Sequence, residues 1–192
     1  MAETQAASAE SAAGSPSYCS LAELEAGFHA FPDPPKDIGR VALIVCRRAP
    51  GVHESMERVR ITAEEAVPGD KWNTSPARDV ASQITVIRRD VSELIANGQP
   101  LTESGDNLVV ELDISTPNLP AGTRLRVGEA VMEVTSKPHN GCAKFLKRFG
   151  PDALQFVQAP ATRHHNLRGV HWRVIEQGEV CVGSVIQVLS RP

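Results

Sequence analysis

The sequence predicts a mainly β protein with short helices, folded as a closed or nearly closed β-barrel. Many short runs rich in β-branched residues recur along the chain, and glycine or proline turn signals separate them. Closing a sheet into a barrel removes its exposed strand edges. The helical signals are few and gather around one cysteine, Cys142. A length of 192 residues is enough for one domain of this kind with appendages.

Residues 1–37 are predicted to form an N-terminal extension that is disordered or weakly ordered. Alanine, serine and glutamate dominate its first half, which leaves almost nothing to bury. A capping-box pattern, Ser20 with Glu23 three residues later, predicts a brief helix over Leu21–Ala26, and a proline-rich segment ends it. We therefore expect the β-barrel domain to occupy residues 38–192.

Runs of apolar and β-branched residues predict the strands of this domain, which are Val41–Arg47, Arg58–Thr62, Gln83–Ile87, Leu108–Ile114, Arg124–Gly128, Ala130–Ser136, Gly169–Ile175 and Ser184–Leu189. A tight link at Val127-Gly128-Glu129 predicts a hairpin. Residues 64–81 contain several breakers and are predicted to be a long irregular loop, a kind of segment that is often functional.

Three short helices are predicted inside the domain. The first covers Asp90–Asn97, with Asp90 as its N-cap. The second covers Ala143–Phe149, directly after Cys142. The third begins at Pro151, since proline is favoured at the first helical position.

Cys142 stands where a loop rich in breakers meets a basic helix. Unpaired N–H groups at a helix start, and the positive charges of Lys144, Lys147 and Arg148, favour an anion there. Such surroundings lower a cysteine pKa from roughly 8.5 to about 7.5 or below. A thiolate attacks sulfur or binds a soft metal. The alternative is a small buried residue that packs the helix start.

Composition narrows the class of protein. A net charge of −3 and a pI near 6.1 argue against nonspecific binding of nucleic acid. The longest purely apolar run, Val41–Cys46, is far too short to span a membrane. The start of the chain lacks the basic and apolar regions of a secretory signal, so we expect a cytoplasmic protein. Four scattered cysteines indicate neither a zinc site nor a disulfide framework.

Other candidate residues have two interpretations each. Arg163 and Arg168 flank a histidine pair and could bind an anion, although such a loop is more often simply solvated. Asp106 and Asn107 either cap a turn or line a pocket mouth, and the turn is favoured. Two other cysteines, Cys46 and Cys181, lie in apolar strands and are interpreted as core residues.

Several short motifs occur in a fixed order over roughly residues 38–190. They are Gly105-Asp106-Asn107-Leu108, Gly128 through Thr135, Cys142 with Lys144-Phe145 and Arg148-Phe149-Gly150, and Arg168-Gly169 followed by Arg173-Val174, Gly178 and Val182-Gly183. In combination they resemble the MOSC domain, the module named for the C-terminal part of molybdenum cofactor sulfurase. The resemblance implies a MOSC-type β-barrel in a standalone protein.

The resemblance also implies a role for Cys142, which matches the single key cysteine of the family. In cofactor sulfurases that cysteine carries sulfur as a persulfide, and in molybdenum-containing members it binds the metal. The implied cofactor is the molybdenum cofactor, molybdopterin. Its phosphate needs cations and N–H groups, for which Lys144, Arg163, Arg168 and the Asp106-Asn107 turn are the candidates.

Three functions follow as expectations. The leading one is an oxidoreductase of N-hydroxylated compounds that uses Cys142 as a molybdenum ligand. The second is a persulfide carrier or cofactor-handling module without turnover of its own, and the third is a noncatalytic barrel that binds a small ligand. Expected partners are a small-molecule substrate and a cysteine desulfurase or electron-transfer protein, without nucleic acid or membrane. Pyridoxal phosphate would enter only through such a partner, because this chain is too short to hold a desulfurase domain.

Overall fold

The computed structural model describes residues 18–192, and within that range ten strands, three α-helices and three 3-10 turns follow one another. The strands are β1 (Ile38–Ala49), β2 (Val52–Met56), β3 (Arg58–Ile61), β4 (Ile84–Arg88), β5 (Leu108–Glu111), β6 (Arg124–Val127), β7 (Ala130–Val134), β8 (Val170–Glu176), β9 (Gly178–Cys181) and β10 (Val185–Ser190). The α-helices are α1 (Leu21–His29), α2 (Arg89–Ala96) and α3 (Ala143–Gln158), and the 3-10 turns are Val80–Ser82, Leu101–Ser104 and Pro160–His165.

Seven strands close into a barrel in the order β10-β6-β7-β8-β4-β5-β1. The ring closes where Ile38–Arg40 of β1 pairs antiparallel with Val185–Gln187 of β10. One neighbouring pair, β4 with β5, is parallel, and α2 forms the crossover between the two strands. Strand β2 extends the sheet outward from β1 as a hairpin, while β3 and β9 form a separate two-stranded sheet. The predicted mainly β, barrel-type fold class is confirmed.

Apolar side chains from the barrel strands fill its interior. Fully buried examples from six strands are Ile44, Val86, Leu108, Met132, Trp172 and Ile186. At the closing seam the backbone of Gly39 passes so near β5 that a Cβ atom there would lie 2.3 Å from the Glu111 carbonyl oxygen. A side chain larger than hydrogen at this position would push β1 away from its neighbour.

A second, smaller core lies where the three α-helices meet. Leu24 of α1, Val91 of α2 and Phe145, Phe149 and Phe156 of α3 are all buried in it. The amphipathic spacing of Phe145 and Phe149 explains why α3 turns that face inward. This core fixes the helix that follows Cys142 against the rest of the molecule.

Most predicted elements are present, with differences at their ends. The Ser20–Glu23 capping box is confirmed, and α1 runs three residues further than predicted, to His29. The predicted N-cap of α2 is wrong: the cap is Arg88, and Asp90 lies in the first turn, where it accepts a hydrogen bond from the Arg88 Nε. The disordered tail predicted at the start of the chain lies largely outside the described residues.

Two strands, β2 and β9, were not predicted. Cys46 is fully buried as predicted, whereas Cys181, on β9, is only partly buried. In the part of the chain that the structure describes, no helix combines the length and apolar character needed to cross a membrane.

Candidate functional site

Cys142 is the N-cap residue of α3 and its side chain is exposed. Its carbonyl oxygen accepts the first helical hydrogen bond, from the Leu146 N–H at 2.9 Å. The loop before it is held by the far end of the same helix, because the Gln158 Nε2 donates to the Gly141 carbonyl at 3.0 Å. A Cβ atom at Gly141 would lie 2.3 Å from the Leu154 Cδ1, so a larger residue there would displace the Leu154 side chain. The sulfur therefore stands at the surface on a braced helix start.

The pKa of the Cys142 thiol is lowered by its surroundings. Partial burial raises this pKa, but the backbone N–H groups of Phe145 and Lys144 lower it. The positive charges of Arg168 and Lys144 lower the pKa further, so that it lies below its ordinary value. The Cys142 side chain makes no capping hydrogen bond, so the N–H groups act as partial positive charges of the helix start.

A pocket of about 410 Å³, here named the Cys142 pocket, opens beside this sulfur. Its walls carry five cationic side chains and one histidine, namely Arg47, Lys71, Lys144, Arg148, Arg168 and His139. Among the described residues, no aspartate or glutamate lines it. The pocket is therefore a positively charged environment for the thiolate.

Arg47 is held in a buried network beneath this pocket. Its Nη2 and Nε donate to the two carboxylate oxygens of Asp70 at 2.8 and 2.9 Å. Asp70 also accepts from the Trp72 N–H and the Asn107 Nδ2, at 2.9 and 3.0 Å. Burial raises the pKa of Asp70, but the bonds and charge of Arg47 lower it by more, and the net pKa lies below its ordinary value. Asp70 is thus an ionised anchor for Arg47.

Arg168 is held in a similar way by Asp106, which is fully buried. The Arg168 Nη1 donates to both carboxylate oxygens of Asp106, at 3.0 and 2.9 Å. The guanidinium lies over the ring of Phe145, 5.0 Å from its centroid. No hydrogen bond within residues 18–192 uses the Arg168 Nη2, which leaves that donor available.

Free positive charge in the Cys142 pocket comes from the lysines. Within residues 18–192 neither Lys71 nor Lys144 has a carboxylate within ion-pairing distance of its Nζ. Burial lowers the pKa of Lys71, and the nearby charges of Arg47 and Lys144 lower it further. Like charges in close proximity repel one another, so a bound anion would be favoured in this pocket.

A second and larger cavity, here named the large cleft, borders the first. Its volume is about 950 Å³, and His139 and Arg168 line both cavities. The His139 ring lies against the His171 ring with centroids 4.4 Å apart. Burial, together with the charge of Arg168, lowers the pKa of His139 well below its ordinary value, so this imidazole is neutral at physiological pH.

Comparison with known families decides the identity of this barrel. The family model for the MOSC domain matches residues 81–187, more than half of the chain. The chain belongs to the MOSC domain family. An uncharacterized Bacillus subtilis protein, YflK, is 32% identical over 95 residues, which cover 48% of this MOSC protein and 40% of YflK. The match thus spans less than half the length of that relative.

Solved structures share the fold of this MOSC protein at low sequence identity. YuaD from Bacillus subtilis has a TM-score of 0.61 at 14% identity, over 81% of this chain and 97% of YuaD. YiiM from Geobacillus stearothermophilus has a TM-score of 0.54 at 14% identity, over 80% of this chain and 76% of YiiM. YiiM from Escherichia coli has a TM-score of 0.53 at 20% identity, over 80% and 71% of the two chains.

The structure of this MOSC domain brings together three of the predicted site residues. Cys142, Lys144 and Arg168 line one pocket. Asp106 reaches it through Arg168, as the partner of that guanidinium. Arg163 instead lines the large cleft.

Asn107 lies below the Cys142 pocket and is fully buried. Its Oδ1 accepts from the Thr85 N–H and hydroxyl, both at 3.1 Å, and its Nδ2 donates to the Val45 carbonyl at 3.2 Å and to Asp70. It therefore ties strands β1 and β4 of the MOSC barrel to the loop of residues 68–72.

Sequence reasoning missed two cations of the pocket, Arg47 and Lys71. Both carried a signal. Lys71 directly follows the Gly69-Asp70 pair in the long loop predicted to be functional, and Arg47 ends an otherwise apolar strand, where a charge requires a partner. The sequence alone does not show that this loop lies close to Cys142 in the fold.

Proposed function

We propose that this MOSC protein binds the molybdenum cofactor and uses the Cys142 sulfur as its protein ligand to molybdenum. The observation that supports this most directly is an exposed thiol of lowered pKa inside a pocket with free cations and no acidic lining residue. A soft thiolate suits molybdenum, and the cations suit a phosphate.

The residues present fit such a group. Among the described residues there is no cluster of three or more histidine, cysteine, aspartate or glutamate side chains that could hold a metal ion by themselves. A single cysteine ligand is consistent with a metal that brings its other ligands on an organic cofactor. Lys71 and Lys144 would hold the cofactor phosphate.

The chain's own side chains position and protect this site. Asp70 and Asp106 orient Arg47 and Arg168, and their burial keeps each guanidinium in one place. The cofactor, when bound, supplies the two-electron chemistry needed to reduce an N-hydroxylated compound. Neutral His139 lines the same pocket and can exchange a proton with a substrate there.

Metal analysis tests this proposal. Protein isolated from a host supplied with molybdate should contain molybdenum, and the Cys142→Ser variant should contain much less. Lys147→Gln, on the same helix but outside the pocket, is the control and should retain the metal. Molybdenum retained in full by Cys142→Ser would remove the ligand role from this cysteine.

A second candidate function is that of a sulfur carrier. The exposure of Cys142 favours it, because another protein can reach the sulfur. In a sulfur carrier, the Cys142 thiolate attacks the terminal sulfur of a cysteine desulfurase persulfide. A new S–S bond forms on Cys142, the donor S–S bond breaks, and the donor thiolate leaves. Pyridoxal phosphate would then belong to the desulfurase alone.

Mass spectrometry distinguishes the two functions. After incubation with a cysteine desulfurase and free cysteine, a carrier should show a mass increase of one sulfur on the Cys142 peptide. Protein that binds molybdenum but never gains this sulfur is not a carrier. If neither molybdenum nor sulfur is bound, the noncatalytic small-ligand barrel is the remaining function.

A further inference from the structure

The large cleft is not used by the function proposed for Cys142. Its volume of about 950 Å³ lies within the range of small-molecule sites, roughly 300–1,000 Å³. It shares only His139 and Arg168 with the Cys142 pocket, although both cavities draw other lining residues from the loop of residues 137–142 and from α3. It is therefore a neighbouring cavity with its own lining.

Part of the cleft lining is apolar. Leu119, Val134 and Leu167 contribute side chains that are otherwise almost fully buried, and Val157 and Val170 add further apolar surface. Apolar side chains in a concave surface bind the hydrocarbon body of a ligand, because water leaves both surfaces on contact.

The charged groups of the cleft are all cationic. Within residues 18–192 no aspartate or glutamate lines it. Lys137 is already paired, since its Nζ lies 2.7 Å from the Asp79 Oδ2. Arg163 has no carboxylate within ion-pairing distance among the described residues, and the Arg168 Nη2 is uncommitted. Two guanidinium groups are thus available for an anion.

The loop that carries these arginines is fixed in place. Asn166 adopts a left-handed backbone conformation with a φ of 53° and ends the 3-10 turn of Pro160–His165. Its Nδ2 donates to the Ile114 carbonyl at 2.8 Å, and the Thr116 N–H donates to the His164 carbonyl at 2.8 Å. A preorganised loop loses little entropy when a ligand binds.

A buried polar atom on the shared wall is also unsatisfied. The Nδ1 of His139 has no hydrogen-bond partner among residues 18–192, although the side chain is only 11% exposed. Buried polar atoms without a partner are uncommon in folded proteins and require an explanation. His139 itself lines the large cleft together with Arg163 and Arg168.

We infer that the large cleft is a binding site for a small organic anion with an apolar, ring-sized body. The body lies on the apolar lining, and a carboxylate or sulfonate is held by Arg163 and the Arg168 Nη2. This inference does not depend on whether Cys142 holds molybdenum or sulfur.

Calorimetric titration with 2-naphthoate, and with the neutral 2-naphthamide of the same shape, tests the site. Naphthoate should bind with one site per chain, and naphthamide about tenfold more weakly, because a charge-assisted bond is lost. Arg163→Gln should weaken naphthoate binding by about tenfold. The exposed Arg60→Gln, which makes the same change of net charge on β3, should leave it unchanged.

Other results would overturn the inference. No saturable binding of naphthoate up to its solubility limit, or equal affinity for naphthamide, would each contradict it. Naphthoate binding that is lost in Lys144→Gln and retained in Arg163→Gln would place the anion in the Cys142 pocket instead. Because Arg163 lies outside that pocket, molybdenum content should be the same in Arg163→Gln and the unmodified protein, which separates this test from that of the proposed function.

Discussion

Cys142 differs from the other cysteines in both exposure and electrostatics. Burial raises the pKa of Cys46, whose thiol lies in the barrel interior. Burial also raises the pKa of Cys19, and the negative charge of Glu23 adds to that effect. Cys142 alone combines an exposed thiol with a pKa lowered by helix N–H groups and cations. Reaction with electrophiles should therefore concentrate on one sulfur of the four.

The pH dependence of alkylation checks this. The rate of modification of Cys142 by iodoacetamide, followed by mass spectrometry of its peptide, should rise with pH and reach its midpoint below that of free cysteine, because the thiolate reacts. Lys144→Gln removes a positive charge, so its midpoint should move to higher pH. Lys147→Gln should not move it. A midpoint at or above that of free cysteine would contradict the lowered pKa.

Asp70 gives a prediction about stability. Its folded-state pKa is lowered, so its contribution is complete above the unfolded pKa, about 3.9, and is lost as the pH falls through the folded value. Asp70→Asn leaves the buried Arg47 without its counter-charge and should cost about 3–5 kcal/mol at neutral pH. When the pH is lowered from neutral to acidic, the Asp70→Asn variant should also lose less stability than the unmodified protein does.

Urea denaturation at several pH values measures both effects of Asp70→Asn. The control is Asp33→Asn, which removes an exposed carboxylate that makes no ion pair within residues 18–192. Equal stability of Asp70→Asn and Asp33→Asn would show that the Arg47–Asp70 pair does not stabilise the fold.

For individual residues, the sequence predicted that Cys142 lies at a helix start beside positive charges, but it did not predict the other side chains of the Cys142 pocket. Helix signals extend over a few neighbouring residues, so Lys144 could be assigned beside the sulfur. Arg47 and Lys71 come from a strand and a loop some seventy or more positions earlier. Their proximity depends on barrel closure, which no local pattern encodes.

Among the secondary-structure elements, α3 shapes the Cys142 site, and its helical conformation is interrupted at Gly150. Gly150 has a φ of 83° and a ψ of 173°, a conformation that is essentially restricted to glycine. The two helical segments on either side of it match the two predicted helices, Ala143–Phe149 and the one that begins at Pro151. The ring of Tyr18 packs on Gly150, and its hydroxyl donates to the Lys147 carbonyl at 3.1 Å. The break lets the second segment fold back and hold the loop before Cys142.

Gly150→Ala tests the importance of this break. A Cβ atom there would lie 2.8 Å from the Tyr18 Cδ2, and the backbone would be strained, so we expect a loss of about 1–3 kcal/mol in the free energy of unfolding. Gly98→Ala is the matched control, because Gly98 has a φ of 85° but open space around its Cα. The Gly98 variant should lose less, and a larger loss there would contradict the packing argument.

The elements missed from the sequence are short, and one of them, β2, is mostly exposed. β2 has three exposed residues out of five and few apolar ones, so neither alternation nor hydrophobicity marks it. β9 begins and ends near glycines, which were interpreted as links. β2 forms by pairing with the longer β1, and β9 forms by pairing with β3, which comes from a distant part of the chain. Their stability thus comes from tertiary contacts, which override weak local preference.

At the scale of the whole molecule, the barrel depends on β10. Ile186 is fully buried in the core, while Leu189 on the same strand is largely exposed. Ile186→Ala should cost about 2–5 kcal/mol, because it leaves a cavity beside the closing seam. Leu189→Ala should change the free energy of unfolding by less than about 0.5 kcal/mol. Urea denaturation measures both, and equal losses would show that the seam is not well packed.

The barrel class was predictable because its strands show either alternating apolar and polar residues or continuous apolar runs. Leu108–Ile114 is an example of such a local pattern. The order of strands in the ring was not predictable. Nothing in the residues of β4 and β5 marks them as a parallel pair, or β1 and β10 as the closing one. Those pairings follow from the way several elements share one core.

The pairing of β1 with β10 has a consequence for how fast the molecule forms. These strands lie near opposite ends of the domain's sequence, and Ile38 contacts Gln187 only after the chain between them has been ordered. A contact of such long range gains no free energy until the entropy of closing that loop has been lost. Barrels rich in pairings of this kind fold in milliseconds to seconds rather than microseconds. Until β10 pairs, the edges of β1 and β6 that it covers in the folded barrel are exposed and can pair with other chains. Refolding yield should therefore fall as protein concentration rises.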